Sequence, residues 1–182
     1  IPPISAEIGD LRVGAADFGR LRLDTVPRPD GLEIRAFGLA SDAFSADGQG
    51  SWTVLGNTHR TDIDMEVTAP RLGALLAALG YDNAGVQGGA SRLDVNLAWD
   101  DDPAGFALER LKGTLYISSK KGRFLDLKPG LTGRAFGLLS LAALPRHLRL
   151  DFSHVFSDGF SYDTIEGAFN LDAGNAFTND LS

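Results

Sequence analysis

Apolar and polar residues alternate with a period of two along seven separate stretches of this chain, and that alternation constrains the fold more than any other feature. Leu21 and Leu23 alternate with Arg20, Arg22 and Asp24, while Leu32, Ile34 and Ala36 follow the turn Pro29-Asp30-Gly31. Ile63, Met65 and Val67 alternate with Asp62, Asp64 and Glu66, and Leu93, Val95, Leu97 and Trp99 with Arg92, Asp94 and Asn96. Leu111, Leu115 and Ile117, then Leu148, Leu150 and Phe152, then Ile165, Phe169 and Leu171 continue the pattern. Each run puts its apolar side chains on one face of a strand.

Turn signals separate these runs: Asp47-Gly48, Lys121-Gly122, Asp158-Gly159 and Ala173-Gly174. Parallel pairing would need a crossover helix after each strand, and only two helical patterns exist, so the expectation is an antiparallel meander. The first helix spans Pro70–Leu79, where Leu72, Leu75, Leu76 and Leu79 form one apolar stripe and Gly80 suits the residue after the cap. The second spans 132–144, is apolar almost all round, and stops at Pro145. Leu111–Ile117 aligns with Ile165–Leu171 at an offset of 54 residues, which reads as a weak repeat of a helix-plus-hairpin unit. The expected fold class is therefore mainly β with two helices, in a curved antiparallel sheet. Loosely, residues 1–129 form a sheet segment with one helix, and 130–182 a C-terminal helix with strands.

Composition narrows the function. The 182 residues hold 17 Lys+Arg against 24 Asp+Glu, a formal net charge of −7, so neutralisation of nucleic-acid phosphates is not expected. There is no cysteine, which excludes disulfides, thiolate metal sites and thiol catalysis. No apolar run approaches the ~20 residues that cross a bilayer as a helix. The start at Ile1-Pro2-Pro3 without Met leads to the expectation of a segment excised from a longer chain, with any anchor elsewhere.

Signals of chemistry are sparse. His59, His147 and His154 lack ligand spacing, and Asp100-Asp101-Asp102-Pro103 reads as a solvated turn rather than a calcium loop. No nucleophile elbow or phosphate-binding loop is present, so neither an enzyme nor a bound cofactor or metal is expected. Charge placement says more. Between Lys120 and Arg149, seven Lys and Arg face the single acid Asp126, leaving the remainder of the chain acidic. This basic island surrounds the apolar helix, which fits either anionic lipid headgroups or a buried helix with solvated flanks. Two helices are too few to cover so many apolar strand faces. Either the sheet folds on itself as a sandwich, or it leaves an apolar trough, and periodicity does not choose between them.

The block from Leu144 to Leu171, with its core Phe152-Ser-His-Val-Phe-Ser-Asp-Gly-Phe-Ser-Tyr-Asp-Thr-Ile-Glu-Gly-Ala-Phe, closely resembles the C-terminal region of YhdP-like proteins of the AsmA-like family. The stretch 133–141 and the close Gly174-Asn-Ala-Phe-Thr-Asn-Asp-Leu fit as well, and together these 50 or so residues are the specific part of the match. Looser similarity extends to Leu11–Val13, the run Gly19-Arg-Leu-Arg-Leu, Trp52, Leu79-Gly80-Tyr81 and Leu97-Ala-Trp99. His154 and His147 depart from the Asp and Arg usual in that pattern, at positions expected to be exposed.

The resemblance implies a large Gram-negative envelope protein, anchored in the inner membrane and extending through the periplasm. It implies repeating β-grooves whose apolar concave face carries phospholipid acyl chains towards the outer membrane and supports outer-membrane integrity. On that reading the groove is lined by Leu93, Val95, Leu97, Trp99, Leu115, Ile117, Phe169 and Leu171. Lys128, Arg134, Phe136, Leu139 and Arg146 are candidate headgroup or membrane contacts. The competing reading is a protein-interaction module that docks an envelope partner by strand addition or through the apolar helix.

Overall fold

In the computed structural model the alternating stretches become long strands, because each carries branched or aromatic side chains on one face and charges on the other. The structure describes residues 2–81, 85–107, 110–125, 160–173 and 175–181. The second expected helix, the strand at Leu148–Phe152, His147, His154 and the five candidate headgroup residues lie outside them.

Nine strands follow one another: β1 (Ser5–Val13), β2 (Ala16–Arg28), β3 (Gly31–Ala40), β4 (Ser45–Leu55), β5 (Thr58–Ala69), β6 (Val86–Trp99), β7 (Lys112–Phe124), β8 (Phe160–Asp172) and β9 (Asn175–Leu181). Among the described residues one helix, α1 (Leu72–Ala78), sits between β5 and β6, and a 3-10 turn at Pro103–Gly105 between β6 and β7. Among the described residues each strand pairs antiparallel with the next, so the sheet order is β1 to β9. The mainly-β antiparallel expectation holds. The sheet is single, open and curved, and among the described residues no second sheet covers it.

Two turn signals fall inside strands instead. Asp47-Gly48 lies in the middle of β4, where Gly48 pairs with Phe37 and Met65. A Cβ at Gly48 would lie 2.5 Å from the Phe37 ring, so the aromatic occupies the space that glycine vacates and the strand continues. Lys121-Gly122 lies within β7, with Lys121 at φ 57 opposite Gly88 and Gly89 at φ 69 and 78 on β6. These left-handed residues bend both strands without ending them. The 54-residue offset also resolves differently: Leu115 pairs with Phe169 and Ile117 with Gly167. The two similar stretches are neighbouring strands, and α1 leads into β6 rather than β7. The helix that the repeat reading places before Ile165 lies outside the described residues.

The helix is shorter than Pro70–Leu79 because Arg71, in extended conformation, is its N-cap and offers no capping side chain. Its end matches expectation. Gly80 at φ 87 lets its N–H reach Ala77 O at 2.9 Å and the Tyr81 N–H reach Leu76 O at 2.9 Å, a Schellman closure. Leu75, 3% exposed, drives α1 onto Phe44, Ala46, Val67 and Ala69, with Phe18 of β2 packed on the same cluster. On a flat sheet β2 and β6 stand about 19 Å apart, yet this helix of seven residues contacts both. The sheet is therefore wrapped around its apolar face. A bulge in β3 between Ile34 and Phe37 assists the bend.

Candidate functional site: an apolar trough

In-register partners on antiparallel strands share a face, so the pairing builds rows that run across the sheet. One row reads Ala6, Leu23, Phe37, Gly48, Met65, Val95, Leu115, Phe169 over eight consecutive strands. Its neighbour reads Ile8, Leu21, Leu39, Ala46, Val67, Leu93, Ile117, Gly167. On the other side run Thr25, Ile34, Gly50, Ile63, Leu97, Gly113 and Leu171. No charged residue interrupts these three rows. They line the inside of the curve as a trough whose axis crosses the strands.

Both rims of the trough are packed. At the α1 rim, Leu75 and its cluster fold over the ends of β4 to β6. At the other rim, Leu97, Trp99 and Leu111 form a second buried cluster, with Phe106 edge-on to Trp99 at 5.6 Å. The Trp99 Nε1–H donates to Asp102 O at 2.8 Å and pins the β6–β7 turn. Phe106 itself is 50% exposed.

The expected lining residues share this face but not one environment. Leu97 (7% exposed), Trp99 (5%) and Phe169 (6%) are buried. Leu93 and Val95 are half-buried against the helix cluster. Leu171 is half-buried against the Trp99 cluster. Leu115 and Ile117 are half-buried and belong to neither cluster. Met65, Ile63, Phe37, Leu23 and Leu21 complete the face. Phe37, Leu23 and Leu21 lie on β2 and β3, and the bulge between Ile34 and Phe37 puts Phe37 on this face in place of Ala36, which the alternation assigns to it and which instead stands opposite Asp24 on the polar side.

The outer face is of opposite chemistry. Arg92 pairs with Glu66, Arg60 with Asp62 at 2.7 Å, and Glu7 with Arg20 and Arg22 at 3.7 Å. These pairs are exposed and worth roughly 0–1 kcal/mol each. An open furrow of about 760 Å³ runs over Gly48, Met65, Val95, Leu115 and Phe169 and is walled by their strand neighbours, among them Asp47, Asp64, Glu66 and Asp94. Those acidic neighbours lie on the polar side of the sheet. On that face partial desolvation, and then the Glu166 carboxylate, hold the Tyr116 phenol above its ordinary pKa. Among the described residues no group of His, Asp or Glu is arranged to hold a metal, and no helix is long and apolar enough to cross a membrane.

The sequence profile of the YhdP protein family matches residues 1–182, the whole chain. The chain belongs to the YhdP family. It is also 28% identical over 166 residues to the intermembrane phospholipid transporter YhdP of Escherichia coli strain K12. That alignment covers 90% of the chain and 13% of the relative, so the chain spans about an eighth of the transporter's length. No solved structure matches. In this chain the described residues of the matched segment form a nine-stranded open sheet with one continuous apolar face.

Proposed function

We propose that this chain is a segment of an intermembrane phospholipid-transport protein, and that its trough shields acyl chains from water. On this reading the full-length protein is anchored in the inner membrane and crosses the periplasm, with other parts of it meeting the two membranes. The observation that carries the proposal is the uncharged row from Ala6 to Phe169 across eight strands. Each methylene held against it avoids water at ~0.8 kcal/mol, which offsets extraction from a bilayer without any reaction chemistry. The activity stated for the similar transporter supports the same reading.

The test is lipid uptake by Leu115→Asp and Ile117→Asp, the two central residues outside both buried clusters. Native mass spectrometry of the purified chain should show bound phospholipid, and each variant should keep its β-sheet circular dichroism while losing the lipid. A wild-type chain that neither carries nor takes up phospholipid would overturn the proposal in favour of a protein-docking module.

A further inference from the structure

One row of the trough is covered in its middle and open towards both ends. It runs Ile8, Leu21, Leu39, Ala46, Val67, Leu93, Ile117. Ala46 and Val67 are buried in one cluster with Leu75 of α1, and Leu39 and Leu93 pack against that cluster. Ile8, Leu21 and Ile117 lie outside it, Ile8 exposed and the other two half-buried. The two ends of α1 show how the helix crosses this row. A Cβ added at Gly89 of β6 would lie 3.2 Å from Leu72 Cβ, and one added at Gly80 would lie 3.2 Å from Ala15 Cβ in the β1–β2 turn. An acyl chain that follows the row between β7 and β2 therefore meets Leu75.

The side chains of α1 hold it by apolar contact only. Residues 72–78 read Leu-Gly-Ala-Leu-Leu-Ala-Ala, and none of these side chains can make a hydrogen bond or an ion pair. Arg71 supplies no capping side chain, the first turn has no acid and the last turn no base, so seven residues have little helical stability of their own. Leu75 is the one residue of the helix that is buried. Acyl methylenes bury apolar surface by the same driving force, so Leu75 and an acyl chain are interchangeable over Ala46 and Val67. The Trp99 rim is fastened differently. There the Trp99 Nε1–H donates to Asp102 O at 2.8 Å, the Thr61 hydroxyl to Asp101 O at 2.9 Å, and Arg110 pairs with Asp101 at 2.6 Å. An acyl chain cannot replace those bonds.

Resting on the trough reading, we propose that α1 is a lid that competes with lipid. The helix and an acyl chain are alternative occupants of the floor at Ala46 and Val67, and α1 lifts for the chain to pass while the Trp99 rim stays fixed. Apparent lipid affinity is then reduced by the fraction of molecules in which α1 is docked.

The test is hydrogen exchange of the chain with and without vesicles of dioleoyl phosphatidylethanolamine and dioleoyl phosphatidylglycerol, with loading read by native mass spectrometry. Lipid should speed exchange of the 72–81 amides by about tenfold while β5 and β6 stay protected. Leu75→Ala, at a temperature where its β-sheet circular dichroism matches the wild type, should load lipid about tenfold more tightly, because its lid docks less firmly. The chain has no cysteine, so Ala15→Cys/Gly80→Cys ties the lid to the β1–β2 turn with a single disulfide, the Cβ separation being close to the ~3.8 Å of such a bond. Oxidised, this variant should load less lipid than the same protein reduced. Unchanged or slower exchange at 72–81 in the loaded chain, weaker loading by Leu75→Ala, or equal loading by the oxidised and reduced forms overturns the lid alone. Failure of the wild type to load lipid overturns the trough reading and the lid with it.

Discussion

At Leu97 and Leu115 the same side chain, on the same face of adjacent strands, carries different consequences. Leu97 is 7% exposed between Trp99 and Leu111, so Leu97→Asp buries a charge without a partner. The expected cost is about 4 kcal/mol or more, read as loss of cooperative unfolding in a urea titration. Leu115→Asp can turn its carboxylate to the open trough and should cost roughly 1 kcal/mol in the same titration. The alternation in β6 and β7 made both residues legible as one face. It could not separate them, because period two records a side and not what lies above it. Tyr116, on the outer side, offers a second residue-scale test. Its neutral form is favoured in the folded state, so its contribution is complete below the ordinary tyrosine pKa and is lost as pH rises through the raised value. Phenolate absorbance should therefore titrate above the value of free tyrosine, and Glu166→Gln should move the midpoint down.

Among the elements, α1 shows how much the sequence specified. Its Leu stripe and Gly80 located the helix to within two residues, since the stripe must bury and the glycine must turn. Leu75→Ala should cost about 3 kcal/mol by opening a cavity under Phe44 and Val67, measured as a drop in the midpoint of thermal unfolding. Gly80→Ala, at φ 87 and with its new Cβ 3.2 Å from Ala15 Cβ, should cost about 1 kcal/mol or more through backbone strain and crowding. The strands were less evenly legible. β5 to β8 follow strict alternation, whereas β4 reads Ser-Ala-Asp-Gly-Gln-Gly and looks like a loop until Phe37 and Ile63 are seen to fill the space over Gly48 and Gly50. A glycine's contribution to a strand sits in the side chain that covers it, and that side chain lies on another strand.

At the scale of the whole molecule, the described residues form one open sheet that curves into a trough. Among the described residues each strand pairs only with the strands before and after it, none closes the sheet, and the curvature comes from α1 and the bulges. Among the described residues β1 has a partner strand on one side only, with Ile4 and Ile8, 40% and 42% exposed, along it. β9, at the far side, carries Phe177 at 42%. Ile8 continues the trough face at this edge, since it begins the row that runs through Leu39 and Val67 to Ile117, whereas Phe177 stands opposite Asn170 on the polar side. An edge of this kind pairs with another strand when one is offered. Expressed alone, the chain should therefore associate with rising concentration, seen as a growing mass in light scattering behind a sizing column. Ile8→Lys should suppress that association, because a charge on the edge face opposes a second sheet while leaving the pairing of β1 with β2 intact. Association unchanged by Ile8→Lys would place the contact elsewhere and sever the link between the trough rows and the β1 edge.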